Sequence, residues 1–501
     1  MEFAYHCSNT LPKLSWVAIM KKNNDYIDVF HGEWVETNSN FFVEGAWDRE
    51  FEKGEFDKSS LLMGSGGKIQ NNYVVFSTPS HIVERLHIIR KKDKLYISNS
   101  LVFVLTMTNE KLDLDYSIYE SDFSLGSEYI PLQGNQQLEM YYYCNLLIDK
   151  ELNINKTLKS NSVKFSTYKE YYDFLLTSLK NISNNAISDK RKIKYDLIST
   201  ISTGYDSAAC SALAAELGCK TVLTFNHPKK YREDSGEEIA RLLGYENIIK
   251  KSANEYLENN NFGEAEFLST GELGSSIVMA SFEEGIQQKM VLTGYYGDSV
   301  WNKNDKRISS SILPTPPIPN SLYEFRFRVG FIYIPLPMFG CTNYKLIHNI
   351  SNSKEMEKWS LGNDYDRPIP RRIVEEKGVK RELFGFRKNG LGFNYSNSSL
   401  RRIKKRMSKK SFKSFKEYYK KNKSIKRLIC NYKHIFCYSM FFLITLINFI
   451  LNKVGIKNII NSNFLPKKYI CNPFSPAMLF HWGVSKTSER YKGYNIQSKI
   501  D

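Results

Sequence analysis

The run Ser202-Thr203-Gly204-Tyr205-Asp206-Ser207 puts hydroxyls, a glycine and a carboxylate within six residues. That set suits a polyphosphate. Gly204 permits a tight backbone, the Ser202 and Ser207 hydroxyls donate, and Asp206 can hold a Mg2+ that neutralises the same phosphate. The run lies inside "YDLISTISTGYDSAACSALAAELG", Tyr195 to Gly218, where a strand-forming stretch enters the loop and an Ala-rich helical stretch leaves it. A helix N-terminus at the carboxyl end of a parallel strand offers N–H groups and a positive dipole end to an anion, so Thr203 through Ser207 would wrap a phosphate, with Ile201 and Ser202 counted beside them as nucleotide-binding. An ordinary helix cap, with Asp206 or a serine satisfying the first turn, is the other reading of this segment alone. A Walker A loop is excluded, because no GxxxxGK[ST] is present.

The elements around the loop are legible as patterns. "YKEYYDFLLTSLKNISNNAI" has helical spacing; after the loop strand and its helix come "KTVLTF" as a strand and "EDSGEEIARLLG" as a helix. Strand alternating with helix predicts a parallel sheet covered by helices, and Gly218 and Gly244 suit left-handed helix ends. Residues 1–160 alternate in short runs ("LSWVAIM", "NYVVFS", "KLYISNSLVFVL", "MYYYCNLLI"), which predicts an antiparallel sheet domain. "GSGGK", 64–68, has no helical pattern after it and reads as a turn.

At 501 residues the chain is long enough for two or three domains of ~100–200 residues each. The net charge of +17 is uneven: residues 401–501 carry 23 Lys and Arg against 3 acids, and the first 400 carry 47 against 50. Basicity therefore belongs to the C-terminal region and says nothing about the body. Within that region Ile435–Leu451 lacks charge over 17 residues, short of the ~20 of a membrane span. A buried helix is the first reading, an interfacial membrane helix with a basic flank the second, a span the third. The eight cysteines show no CxxC spacing, and no leader of basic, apolar and small residues precedes them. This favours free thiols in a cytoplasmic, or membrane-peripheral, protein without structural zinc.

The loop resembles the SGGxDS pyrophosphate motif of the PP-loop ATP pyrophosphatases, and its surroundings resemble their asparagine synthetase-like branch. Three further blocks follow in the family's order: "TVLTFNHPKKYREDSGEEIARLLGYEN", "VLTGYYGDSVW" and "DRPIPRRIVEEKGVKRELFGFRKNGLGF". The resemblance implies an α/β chain in which a degenerate, Ntn-hydrolase-like glutamine amidotransferase domain (1–165) precedes a PP-loop, adenine nucleotide alpha hydrolase-like ATP-binding domain (166–400). A basic helical region (401–501) follows. It implies ATP and Mg2+ as ligands, with Phe225 and Asn226 flanking adenine, Thr293 and Gly294 beside the nucleotide, Asp206 and Asp298 on the metal and Lys388 near the phosphates. The implied reaction is adenylation of a carboxylate followed by attack of an amine. The acid and amine would come from a small molecule, a sugar or a peptide.

Two departures refine that expectation. The amidotransferase nucleophile is a cysteine at position 2, and here the chain reads Met1-Glu2-Phe3, so no glutaminase activity is expected; Cys7 would need unusual trimming. Where the family carries an acid after the first glycine of its second loop, Tyr295 stands, as in beta-lactam synthetase-like members. There a tyrosine oriented by a glutamate acts as base, and Glu324 is the candidate partner by order along the chain. Packing for Tyr295 and an ion pair with Arg326 or Arg328 for Glu324 are the plain alternatives. A tRNA-modifying enzyme of the PP-loop type and an inactive ATP-binding scaffold remain the other functional classes, although the cysteine or zinc motifs of the former are missing.

Overall fold

The structure, a computed structural model, describes residues 1–113, 127–134, 136–159, 163–226, 235–269, 277–305, 322–386, 400–422, 425–453 and 476–492. Two stacked sheets form the first part. One contains β1 (Glu2–Ser8), β2 (Trp16–Lys21), β3 (Tyr26–Gly32), β8 (Leu86–Lys91), β9 (Lys94–Ser98), β10 (Ser127–Pro131) and β11 (Gln137–Tyr141), in the order β1-β3-β2-β9-β8-β11-β10. The other contains β4 (Glu36–Thr37), β5 (Phe41–Trp47), β6 (Leu62–Gln70), β7 (Tyr73–Ser77), β12 (Cys144–Asp149) and β13 (Ile154–Leu158), in the order β13-β12-β7-β6-β5-β4. All described pairings are antiparallel except β1 with β3.

Strand periodicity sorts the side chains into layers. On β2, Trp16, Ala18 and Met20 join Phe42, Phe76 and Leu146 between the two sheets, whereas Val17 and Ile19 face helix α1 (Leu101–Thr108) on the outside. The outer face of the second sheet is covered by α2 (Tyr168–Ala186), started by a capping box of Thr167 and Glu170. The layer order is helix, sheet, sheet, helix.

Two sequence expectations are corrected here. "SLVFVL" is the helix α1 and not part of a sheet run: Ser100 caps it by accepting from the Phe103 N–H at 2.9 Å, and Asn109 closes it in the left-handed region. "GSGGK" lies within β6 and is no turn. Gly64 faces Gly45 across the pair, both with positive φ (+141° and +123°), and a Cβ on Gly64 would sit 1.9 Å from the Glu44 carbonyl oxygen. The glycines let the two strands approach where side chains would hold them apart.

The second body is built on β14 (Asp196–Thr200), β15 (Thr221–Asn226), β16 (Asn247–Ser252), β17 (Lys289–Thr293) and β18 (Ile332–Pro335). They form one parallel sheet in the order β16-β15-β14-β17-β18, so the mixed α/β class expected from the sequence is present. The glycines expected at helix ends adopt the left-handed conformation, Gly218 at φ +81° and Gly244 at φ +83°. The two bodies are tied by the helix Leu322–Val329. Its fully buried Arg326 reaches Glu44 at 2.8 Å and Glu84 at 2.7 Å in the first part of the chain.

Candidate functional site

Strand order decides where a ligand would go. From β14 the chain winds outward through β15 to β16, and then returns to the other side of β14 as β17 and β18. The order reverses between β14 and β17, and the crevice beyond their carboxyl ends is where open parallel sheets place ligands. The loop 201–204 leaves β14 and the loop from Gly294 leaves β17 at this crevice.

The β14 loop is held by its own hydroxyls. Ser202 Oγ and Ser207 Oγ lie 2.7 Å apart, the Ser202 N–H donates to Ser207 Oγ at 3.1 Å, and the Gly204 N–H donates to Ser202 Oγ at 3.2 Å. Helix α3 (Tyr205–Glu216) begins with Gly204 as its N-cap, in extended conformation and with no side-chain cap. The ordinary capping arrangement by Asp206 or a serine is therefore not what the loop provides. Ser199 and Ser211 hydroxyls 2.9 Å apart pin α3 to β14, and Ala208, Ala209 and Ala212 pack close beneath it.

Asp206, in the first turn of α3, meets the second loop directly. A Cβ on Gly294 would lie 2.5 Å from the Asp206 carbonyl carbon, and one on Gly297 would lie 2.5 Å from its Cγ. The two glycines thus seat Asp206 closely, Gly294 against its backbone and Gly297 against its carboxylate. Asp298 follows one residue later on the short helix Gly297–Val300. Arg367 forms an ion pair with Asp206. Burial opposes the charge on Arg367, but Asp206, Tyr365 and Asp298 outweigh it and raise its pKa further. The two acids and one arginine share one electrostatic neighbourhood.

The late segment closes on the same loop. The Gly385 N–H donates to the Thr203 carbonyl at 2.8 Å, and a Cβ on Gly385 would strike the Tyr205 ring at 2.5 Å. Tyr205 is fully buried, its hydroxyl bonded to Arg371 and its ring against Tyr365 and Phe384. On the other flank, Ser202 bridges Ser235, and a Cβ on Gly236 would sit 2.9 Å from the Ser202 nitrogen.

Most residues singled out from the sequence come to one edge: Ile201 through Ser207 after β14, Phe225 and Asn226 at the end of β15, and Thr293, Gly294, Tyr295 and Asp298 after β17. Phe225 rests on Phe282 at 4.7 Å between ring centroids, Asn226 is exposed, and the Thr293 hydroxyl reaches the Tyr333 hydroxyl at 3.1 Å. Tyr295 is half-buried against the cluster containing Ile198, Leu223 and Val291, with its ring 5.9 Å from Tyr296. Lys388 lies outside the described residues. Arg367, Arg371 and Tyr365 belong to the site and were not singled out. They stand in or beside the quoted "DRPIPRR" block, whose doubled arginines were the available signal.

Glu324 is not the partner of Tyr295. Its carboxylate accepts from the Ser100 hydroxyl at 2.6 Å, the Tyr491 hydroxyl at 2.7 Å and, more weakly, the Val102 N–H at 3.4 Å. Nor does it pair with its neighbours, since Arg326 binds Glu44 and Glu84, and Arg328 binds Glu264 and Glu283. Glu324 joins the first body to the C-terminal segment. Burial pushes its carboxyl up from 4.5 to about 7. Between those values the folded protein keeps a proton that the unfolded chain has lost, so stability falls as pH rises through that window. Glu324→Gln removes the titration. Chemical denaturation should show wild type losing up to ~3 kcal/mol relative to this variant from pH 4.5 to 7, and parallel pH profiles would contradict it.

Among the described residues no group of three or more His, Cys, Asp and Glu side chains converges as a metal cage. Two carboxylates in a crevice suit Mg2+, which keeps waters and takes its remaining ligands from substrate phosphates. The neighbouring Cys210 is held as a neutral thiol by burial and then by the Asp206 charge, so it is no nucleophile. No protein-family model matches the chain, and no curated protein matches it.

Proposed function

We propose that the protein is an ATP-dependent amide-forming synthetase of the asparagine synthetase-like type, acting without a glutaminase of its own. The observation that carries this reading is the seating of Asp206. The acid of the β14 loop is cradled by Gly294 and Gly297 of the β17 loop at the point where strand order reverses. Supporting it, the four-layer order of the first body fits an Ntn-hydrolase-like scaffold, and the 3-2-1-4-5 parallel order of the second, numbering its own strands, fits a PP-loop nucleotide domain.

In this reading the uncapped start of α3, with Ser202, Thr203 and Ser207, receives the pyrophosphate end of ATP, and Phe225 and Asn226 flank the adenine. Mg2+ held by Asp206 and Asp298 would supply charge neutralisation on the phosphates. A substrate carboxylate oxygen attacks the α-phosphorus, the bond to the bridging oxygen breaks, and pyrophosphate leaves. The chain's part in that step is positioning and electrostatic stabilisation, to which Arg367 contributes charge beside Asp206, while Arg371, paired with Glu375, holds Tyr205 beneath the loop. In the second step an amine attacks the acyl carbon and AMP departs with its electron pair. An ammonium cannot attack, so a base must take the proton, and Tyr295 is assigned that role.

The deciding experiment is substrate-dependent ATP–pyrophosphate exchange with fractionated metabolites. A fraction that elicits exchange identifies the acid. Tyr295→Phe should then keep exchange but lose product by ~10²-fold or more, the usual worth of a general base. Product formation at the wild-type rate would make Tyr295 a packing residue. One observation favours a second reading, an ATP-binding scaffold without turnover: Arg367 already neutralises Asp206 from within the chain. ATP binding with no exchange in any fraction would select it.

A further inference from the structure

We propose that the helix Ile425–Lys453 is an interfacial membrane anchor that lies along the surface of an anionic bilayer on one face and does not cross it. Ile435–Lys453 is apolar enough to meet a membrane, yet only 12% of this stretch is buried in the protein. The first reading of the segment as a buried helix is thereby overturned. Ile435, Phe436, Phe442, Leu446, Phe449 and Ile450 are each 45–65% exposed. At about 100° per residue they fall on one arc of roughly 140°. Cys437 and Ile444, on the opposite side, are buried, with Met440 and Phe441 partly buried beside them. One side of the helix is partly covered and the other is bare.

Charge selects the occupant. The helices Leu400–Arg406 and Lys409–Lys421 precede the anchor, and every Lys and Arg between 401 and 421 is exposed, with Glu417 the one acid among them. Lys433, also exposed, stands two residues before Ile435 at the start of the apolar stretch. A large apolar face bordered by so many cations matches acyl chains under anionic headgroups. It does not suit the surface of a second, equally basic copy.

Topology selects lying over crossing. At ~1.5 Å per residue the apolar stretch could reach across a hydrocarbon core of ~30 Å, so length alone does not decide. The chain beyond it comes back to the same body: on the helix Pro476–Thr487, Leu479, Phe480 and Trp482 are buried, and the Tyr491 hydroxyl donates to Glu324. A single crossing would require residues 454–475 to cross back, and these include Lys457, Asn461, Asn463, Lys467 and Lys468. Such a segment cannot satisfy its polar groups in lipid.

The test is flotation of the full-length protein with vesicles of phosphatidylcholine alone and of phosphatidylcholine with phosphatidylglycerol. Binding to the anionic vesicles should exceed that to the neutral ones by ~10-fold or more and weaken with added salt. The variant Phe442→Glu with Leu446→Glu changes exposed positions only. It should retain the far-ultraviolet circular dichroism of wild type and lose at least ~90% of the binding. Absence of vesicle binding, equal binding by the variant, or self-association in solution without vesicle binding would each overturn the proposal. Membrane-bound protein resisting alkaline carbonate, with a protease-protected fragment, would overturn the interfacial geometry. None of these outcomes depends on whether ATP is turned over.

Discussion

Asp206→Ala should abolish substrate-dependent ATP–pyrophosphate exchange, by ~10³-fold or more, while the thermal midpoint moves by only a few degrees. The residue stands at the start of α3, seated against Gly294 and Gly297, and its carboxylate is ion-paired to Arg367. Removing it takes away the charge assigned to Mg2+ and leaves Arg367, only 4% exposed, without the ion-pair partner it has. Loss of a buried partner costs stability, but the side chain fills little core volume, so the catalytic loss should far exceed the structural one. Asp206→Asn keeps the shape but likewise leaves Arg367 without a counter-charge; it should fail in exchange with a loss of stability comparable to that of Asp206→Ala. Exchange within a few-fold of wild type in either variant would remove Asp206 from the chemistry. Nucleotide binding followed by calorimetry separates the two readings above: the scaffold needs Asp206 for binding alone.

Arg326→Met should cost ~3–5 kcal/mol of stability, measured by urea denaturation, because it strands two acids in the interior. Arg326 is 1% exposed and holds Glu44 and Glu84, which are 1% and 4% exposed. Burial already pushes Glu44 up to about 7 and raises Glu84, each lowered only in part by Arg326. Without the guanidinium both carboxyls rise further. Protons are then bound more tightly folded than unfolded, so the variant's stability should fall as pH rises above the ordinary carboxyl range. Adding Glu44→Gln and Glu84→Gln should recover part of the loss and flatten that dependence. A single Arg326→Met variant as stable as wild type at neutral pH would show that the two bodies do not lean on this contact.

What could be read from the sequence was local. Loop, helix and strand around Ser202–Ser207 follow from periodicity, and Gly218 and Gly244 end their helices as their residue type requires. The alternation on β2 likewise announced two faces. Contacts between distant segments were not readable. Glu324 was paired by order along the chain, but helix Leu322–Val329 turns it toward Ser100 and Tyr491, 224 and 167 residues away in sequence. "LVFVL" after Ser100 is all apolar, so neither period shows, and the helix is marked only by its caps, Ser100 and Asn109. The glycines of β6 looked like a turn because composition does not reveal a facing strand. Hydrophobicity marked 435–451 as inward, and only the surrounding packing shows it turned outward.

The seating of the Ser202–Ser207 loop implies an uneven map of tolerance. Gly236, Gly294, Gly297 and Gly385 each come so near the loop or the first turn of α3 that a single methyl group would collide at 2.9 Å or less. Thr203, by comparison, is only partly buried, and it is its backbone carbonyl that Gly385 engages. The shape of the loop is imposed from outside by four glycines scattered over 150 residues, as a mould imposes the shape of a casting. Side chains of the loop that do not themselves touch these glycines, such as that of Thr203, can therefore vary more freely than the mould can. In saturation mutagenesis the intolerant positions would lie mostly outside the motif that draws the eye.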